Sequence, residues 1–365
     1  MKASTRTAGQ VSAFAPGRVE LLGNHTDYNQ GLVLGAAINR GVTVSGWRRE
    51  DDEIRLNSDL MGRAAVRLPD LQPQTEATWV NYCLGVVREL IDAGIRIGGF
   101  DADVHANLPP RSGLSSSAAL EVATALFLLK LQREELHPMD LAKLCQRAEH
   151  RFVGVRSGLL DQVMSIFGRA NHAVFFDTRT EEVRLIRFPE NLALIIAESG
   201  KQRELSRGDY NLRREQTHAA ARWLGVNALR DITSAELMNR SDFDAILAAR
   251  ARHVVGENER VLAAVELLNE GDGAGFGRLL NESHASSQHN FENSTPELDR
   301  LVEIARALSG VLGARLTGAG FGGAIIALCN HEQADAAAAE LQHKYQNQTG
   351  IPSTAFVCRI SDGAR

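Results

Sequence analysis

Residues 108–123 constrain the fold most, because they join a predicted strand to a buried helix through a loop of small residues. The strand is predicted at residues 100–106, where apolar side chains alternate around Val104. Beyond the loop the chain is almost wholly apolar, and Val122 and Leu126 recur at helical spacing. The pattern predicts a buried helix that begins at or near a run of three serines.

The start of this helix allows two interpretations. A helix N-terminus carries free backbone N–H groups and the positive end of the helix dipole, so it attracts anions. Gly113 lets a ligand approach the backbone, and the serines at 115–117 add hydroxyls with little bulk. Serine is also a common N-cap of an ordinary core helix. The stretch by itself favours a phosphate cradle and a capped core helix equally.

Composition limits the classes of protein to consider. The 365 residues are enough for two domains, and we expect the boundary near residue 178, where the composition pattern changes. The net charge is −5 without a Lys/Arg cluster, which predicts no nucleic-acid partner. We find no apolar run of membrane-spanning length and no signal peptide, and the four cysteines form no CxxC pair. We therefore expect a cytoplasmic protein without a membrane partner.

A second polar stretch lies near the N-terminus. Residues 23–31 combine Asn, His, Thr, Asp and Tyr side chains between apolar runs, with Arg18 just upstream. We predict strands at 11–15 and 18–22, separated by a turn at Pro16-Gly17. The polar loop is either a solvated hairpin tip, which its composition favours, or a site that hydrogen-bonds a polyhydroxylated ligand.

Two further features allow alternatives. Asp161 stands among apolar neighbours. It is either a first-turn charge that complements a helix dipole or a partly buried base. The glycines at 318–323 match a dinucleotide pattern formally, but a predicted strand at 324–328 follows where that fingerprint requires a helix. The glycine loop is therefore a close-approach loop or a tight turn.

Three separated segments together resemble the signature motifs of the GHMP small-molecule kinases, in particular the galactokinase branch. The segments are residues 15–31 (APGRVELLGNHTDYNQG), 113–120 (GLSSSAAL) and 316–323 (LTGAGFGG). Shorter matches lie in compatible order at 79–82 (WVNY), 148–150 (AEH), 158–162 (GLLDQ), 210–214 (YNLRR), 282–284 (ESH) and 296–299 (PELD). The resemblance covers nearly the whole chain.

This resemblance implies an α+β fold of two domains, with the active site in the cleft between them. The N-terminal domain would be ribosomal protein S5 domain 2-like and the C-terminal domain ferredoxin-like, over 1–178 and 179–365. The implied activity is ATP-dependent phosphorylation of a sugar at its C1 hydroxyl, with galactose as the leading substrate. Mg²⁺ is the implied cofactor and ATP and a small sugar the partners, and we expect a monomer or weak dimer.

The resemblance also implies residue roles. It assigns Asp161 as base or orienting carboxylate and Arg18 as charge stabiliser. The implied metal ligands are Ser117 and Glu149, whose oxygens suit Mg²⁺. The implied sugar contacts are Asn24, His25, Asp27, Gly158 and Tyr210. The implied ATP contacts are Trp79, Gly113, Leu114, Ser115, Ser116, Ser117, Gly318 and Gly320.

Two departures from the family pattern matter. The family has Asn where this chain has Glu20, and Glu where it has Asn24, and that Glu contacts the hydroxyls near C6. Either the two residues exchange roles, or neutral Asn24 admits a related sugar such as galacturonate, L-arabinose or N-acetylgalactosamine. Arg111-Ser112 replaces small residues of the family's loop. Arg111 either reaches a phosphate or points to solvent, and we expect solvent.

Other functions within the superfamily are weighed by the same residues. A non-catalytic sugar- or ATP-sensing regulator is the alternative from a different class, and the presence of Arg18, Ser117, Glu149 and Asp161 favours an enzyme. A mevalonate- or homoserine-type kinase is disfavoured by the HTDY run at 25–28.

Overall fold

The computed structural model describes residues 9–109, 113–155, 157–201, 207–240 and 244–365. Arg111 and Ser112 lie outside the described residues. Within the described ranges the chain forms two sheets flanked by helices, which confirms the α+β prediction. No helix in these ranges is both long and apolar enough to cross a membrane.

The first sheet contains seven strands within the described residues. They are β1 (Val11–Leu22), β2 (Leu32–Arg48), β3 (Glu53–Ser58), β4 (Gly62–Arg67), β5 (Phe100–Ala106), β6 (His172–Asp177) and β7 (Val183–Arg187). Their order is β4-β3-β5-β2-β6-β7, and β1 pairs with β2. The long strand β2 pairs with β1, β5 and β6, so it organises the sheet.

The second sheet has the order β11-β8-β10-β9 and is antiparallel throughout. Its strands are β8 (Leu192–Glu198), β9 (Val311–Thr317), β10 (Ala324–Asn330) and β11 (Ala355–Cys358). In chain order, helices separate β8 from β9 and one helix separates β10 from β11. This is the β-α-β-β-α-β succession of a ferredoxin-like unit.

Helices pack on both sheets. They are α1 (Val80–Asp92), α2 (Ser116–Gln132), α3 (Pro138–Ala148), α4 (Leu160–Phe167), α5 (Arg207–Leu224), α6 (Ser234–Met238), α7 (Ala245–Glu270), α8 (Gly273–Ser286), α9 (Pro296–Arg306) and α10 (Ala334–Thr349). Most of α2 is buried, as its apolar sequence predicts. Two π-helical turns, Glu149–Val153 and Ser287–Phe291, extend α3 and α8, and such turns are frequent at functional sites.

One sequence prediction needs correction. The turn predicted at Pro16-Gly17 is wrong: β1 is continuous, and the pairing with β2 shifts register between Pro16 and Arg18, as at a β-bulge. The domain boundary expected at residue 178 stays a prediction, and residue 178 lies between β6 and β7, which pair as a hairpin. We place the end of the first sheet at Arg187. The last residues also return to this sheet, where Arg365 and Phe14 exchange two backbone hydrogen bonds.

Candidate active site

A cavity of about 960 Å³ opens between the first sheet and the helices and glycine turn of the second part of the chain. Both parts contribute to its wall, which agrees with a site in a cleft. Ten residues implied by the resemblance line it: Arg18, Asn24, His25, Asp27, Ser117, Glu149, Gly158, Asp161, Tyr210 and Gly318.

The cluster at the centre of the cavity joins β1, α4 and the loop at residues 113–117, which we call the serine loop. Arg18 is almost fully buried, and its Nε and Nη2 each lie 2.7 Å from Asp161 Oδ1. The other carboxylate oxygen, Oδ2, accepts a short hydrogen bond from the Ser115 hydroxyl. Asp161 stands in the first turn of α4, and its side chain keeps 29% exposure. It is therefore held by two partners and remains accessible from the cavity.

The serine loop presents an uncapped helix start. Ser115 takes a left-handed conformation, with φ of 57°, and no side-chain hydrogen bond caps α2 at this position. The Ser115 hydroxyl instead donates a hydrogen bond to Asp161 Oδ2. Arg18 Nη1 fixes the loop by donating to the Gly113 carbonyl oxygen at 2.7 Å. Of the two interpretations, the geometry favours an anion-binding helix start, with Ser117 in the cavity wall.

Carboxylates accumulate beside this helix start. Glu149 is nearly buried and accepts a short hydrogen bond from the Ser157 hydroxyl. Burial raises the pKa of its carboxyl to about 7, and the nearby Asp161 charge acts in the same direction. Burial also raises the pKa of Glu121, next to Glu149, well above its ordinary value. No group of three or more Asp, Glu, His or Cys side chains in the described ranges could hold a metal ion. The Glu149 carboxylate and the Ser117 hydroxyl are nevertheless hard oxygen donors of the kind that Mg²⁺ takes.

The polar loop is tied to the second part of the chain through His25. The His25 ring nitrogens lie 2.8 Å from the Tyr28 hydroxyl (Nδ1) and 2.9 Å from the Ala319 carbonyl oxygen (Nε2). Because a carbonyl only accepts, Nε2 donates to Ala319, and Nδ1 shares a hydrogen bond with the Tyr28 hydroxyl. The ring also packs against Phe291 at 4.5 Å and Tyr210 at 5.5 Å between centroids. A solvated hairpin tip is therefore excluded.

Asp27 and Gly158 pack closely on the cavity wall. A Cβ at Gly158 would lie 1.7 Å from Asp27 Oδ2, so only glycine leaves room for this carboxylate. Burial raises the pKa of Asp27 to about 6, and the Asp161 charge adds to the increase while Arg214 opposes it. The carboxylate is therefore a strong acceptor that has lost much of its hydration.

The other residues expected to bind ATP are not among those that line the cavity. Trp79, at the start of α1, is buried in a hydrophobic core that includes residues of the first sheet. Its neighbours Thr78, Asn81 and Tyr82 line the cavity. Leu114 is buried and accepts the Arg18 backbone N–H, and Ser116 is exposed at the start of α2. Gly320 follows the wall residues Gly318 and Ala319. For these residues an ATP contact stays a prediction.

Sequence reasoning missed several residues of the wall. Arg214 and His218 line the cavity together with Tyr210, at intervals of four residues along α5. This helical spacing was a signal in the sequence, since residues four apart share one helix face. Ser157, the partner of Glu149, carried no comparable signal because it lies in a loop.

Comparisons with known proteins show the family of the chain. Family models match at residues 81–169 (GHMP kinases N terminal domain), 264–347 (GHMP kinases C terminal) and 3–47 (galactokinase galactose-binding signature). The chain is 41% identical over 356 residues to a galactokinase of Roseiflexus sp. (strain RS-1), covering 96% of this chain and 91% of that protein.

Solved structures extend the comparison to the whole fold. Galactokinase of Lactococcus lactis, crystallised with galactose, superposes with a TM-score of 0.94 at 34% identity, covering 98% of this chain and 95% of that one. Mevalonate kinase of Methanococcus jannaschii has a TM-score of 0.69 at 21% identity, covering 98% and 99%, which shows a common fold alone. The chain has the two-domain GHMP kinase fold and belongs to the galactokinase family.

Proposed function

We propose that this protein transfers the γ-phosphoryl group of ATP to the C1 hydroxyl of galactose. The observation that carries the proposal is the Arg18–Asp161–Ser115 cluster, which meets the uncapped start of α2 in one cavity. The relatives named galactokinase, one of them crystallised with galactose, support the choice of sugar.

The cluster supplies positioning and charge compensation, which dominate phosphoryl transfer. Asp161 would accept a hydrogen bond from the C1 hydroxyl and receive its proton as the oxygen–phosphorus bond forms and the bond to ADP breaks. Arg18 would orient the Asp161 carboxylate through their ion pair and offset negative charge on the transferred group. Backbone N–H groups at the start of α2 would hold the phosphates.

We assign Ser117 and Glu149 as the residues that would hold Mg²⁺. Both line the cavity beside the start of α2, and their carboxylate and hydroxyl oxygens are of the kind that Mg²⁺ takes. The ion would neutralise phosphate charge when bound with ATP. Asn24, His25, Asp27, Gly158 and Tyr210 would form the sugar side of the cavity.

We further propose a cytoplasmic monomer or weak dimer. All four cysteines are buried free thiols, as in a reducing compartment. A sensing regulator is disfavoured, because Arg18, Ser117, Glu149 and Asp161 all face one cavity.

Product analysis tests this proposal. The protein is incubated with ATP, magnesium and galactose, and phosphorus NMR identifies the product. We expect a sugar phosphate whose phosphorus couples to the anomeric proton. A product phosphorylated elsewhere, or no sugar phosphate at all, would refute the assignment of the C1 hydroxyl to Asp161.

A further inference from the structure

Two neighbouring side chains of the cavity wall, Glu20 and Asn24, differ in how far their polar atoms are already bonded. Asn24 is fully buried and uses both amide hydrogens, since Nδ2 donates at 2.8 Å to Glu20 Oε1 and at 2.8 Å to the Gly318 carbonyl oxygen. Its Oδ1 accepts from Asn293 Nδ2 at 2.9 Å. A ligand could receive a hydrogen bond from Asn24 only by displacing one of these partners.

Glu20 has an oxygen to spare. Its Oε1 takes both contacts, from Asn24 and from Arg315 Nη2 at 3.3 Å. Within the described part of the chain, no side chain or backbone group donates a hydrogen bond to Oε2. Glu20 is 5% exposed against 0% for Asn24, although both belong to the wall. Oε2 is not a buried orphan, and it belongs to a side chain of the cavity wall. A carboxylate oxygen that no protein donor occupies can accept a hydrogen bond from a ligand hydroxyl there.

The position of Glu20 on β1 indicates which part of a sugar it would meet. Arg18 and Glu20 are two residues apart on one strand, so both point into the cavity and their Cα atoms are about 7 Å apart. Arg18 holds Asp161, where the C1 hydroxyl would react. Glu20 is therefore displaced from the transfer centre by a distance that suits a sugar hydroxyl remote from C1.

The charges around Glu20 come from three elements. Arg18 on β1 and Arg315 on β9 favour its ionised form, and Glu257 on α7 opposes it. Burial outweighs the two arginines and raises the pKa of Glu20 to about 7. A hydroxyl that donates to Oε2 would stabilise the ionised form further.

We propose that Glu20 is the specificity-determining acceptor for a hydroxyl remote from C1, and that Asn24 is a positioning residue that holds Glu20 in place. The inference rests on the proposed galactose site. Of the two hypotheses for why this chain departs from the family pattern, it supports the one in which Glu20 and Asn24 exchange roles. A carboxylate remains in the pocket, so the site should repel galacturonate, whose own carboxylate would face Glu20.

A matched set of ligands and variants tests this assignment. Wild type, Glu20→Gln and Asn24→Ala are compared by calorimetric binding of galactose, of 4-deoxy- and 6-deoxygalactose and of galacturonate, without ATP. Glu198→Gln is the control, since Glu198 is a half-buried strand carboxylate outside the cavity wall. Michaelis constants for ATP report whether each variant retains its nucleotide site.

In wild type, removal of the contacted hydroxyl should weaken binding roughly 10- to 100-fold, as for a hydrogen bond to a charged group. Glu20→Gln should bind galactose more weakly, lose most of that discrimination and reject galacturonate less. Asn24→Ala should bind galactose more weakly while keeping the discrimination, because the acceptor is still present. Glu198→Gln should match wild type.

The inference is overturned if Glu20→Gln, with an unchanged Michaelis constant for ATP, discriminates among the deoxy sugars as wild type does. It is equally overturned if Asn24→Ala alone abolishes that discrimination. Failure of the wild-type protein to bind galactose is a different result, since it refutes the proposed function itself.

Discussion

At the scale of single residues, buried titratable groups connect the proposed sugar site to the core behind it. His253 on α7 is fully buried, with Nε2 3.1 Å from the Asn24 carbonyl oxygen and Nδ1 3.0 Å from the Ser286 hydroxyl. Burial lowers the pKa of His253 to about 3. A neutral histidine thus supports the backbone of the polar loop from behind.

This depressed pKa predicts a stability that depends on pH. Between about pH 6.5 and 3 the unfolded chain binds a proton at His253 that the folded chain does not, so stability falls as the pH falls through that window. At about pH 5 the loss amounts to about 2 kcal/mol. His253→Gln should lose less stability than wild type between pH 7.5 and pH 5 in urea unfolding. An unchanged pH dependence would contradict the buried neutral assignment.

At the scale of elements, the bulge in β1 fixes the position of the serine loop. The Arg18 backbone N–H donates to the Leu114 carbonyl oxygen at 3.1 Å, and a Cβ at Gly17 would lie 2.6 Å from that same oxygen. The strand therefore approaches the serine loop as closely as a glycine allows.

Gly17→Ala should push the serine loop away from β1. We expect a stability loss of about 1–3 kcal/mol and a kcat/KM for ATP lowered by up to roughly 100-fold. Gly98→Ala is the control, because no atom lies within 4 Å of a Cβ there. Thermal unfolding and steady-state kinetics check both variants, and equal behaviour of the two would contradict the role of the bulge.

The same elements show what could be predicted from the sequence. Helix α2 was predictable because its apolar run is long and follows a loop of small residues. The bulge was mistaken for a turn, since Pro-Gly marks both and only pairing with β2 separates them. The short-range pattern also could not reveal that Trp79 faces the core or that Ser157 meets Glu149, because both depend on tertiary packing.

At the scale of the whole molecule, the polar loop is held by a residue far along the chain. Arg230 binds both oxygens of Asp177, at 2.6 and 3.0 Å, and donates to the Gln30 carbonyl oxygen at 2.8 Å. This three-way contact joins the end of β6, the polar loop and the helical region after α5. The loop geometry therefore depends on the assembled fold.

Arg230→Met should lower the melting temperature and weaken galactose binding, because it removes the arginine that pairs with the largely buried Asp177 carboxylate. Arg187→Met is the matched control, since Arg187 and Glu190 form a pair with 76% and 72% exposed side chains. Differential scanning calorimetry and sugar titration check both. A loss of stability in Arg230→Met without any change in galactose affinity would show that the loop does not depend on this contact.

Under the proposed function, Asp161 acts on the C1 hydroxyl of a galactose molecule bound beside Mg-ATP. The most direct measurement is ATP consumption by wild type and Asp161→Asn with galactose, N-acetylgalactosamine, galacturonate, L-arabinose, glucose and mevalonate. We predict that galactose is the best substrate and that Asp161→Asn lowers kcat by about 100- to 10,000-fold while it still binds galactose. Preference for another substrate would contradict the assignment of galactose, and an Asp161→Asn variant as active as wild type would contradict the role of Asp161.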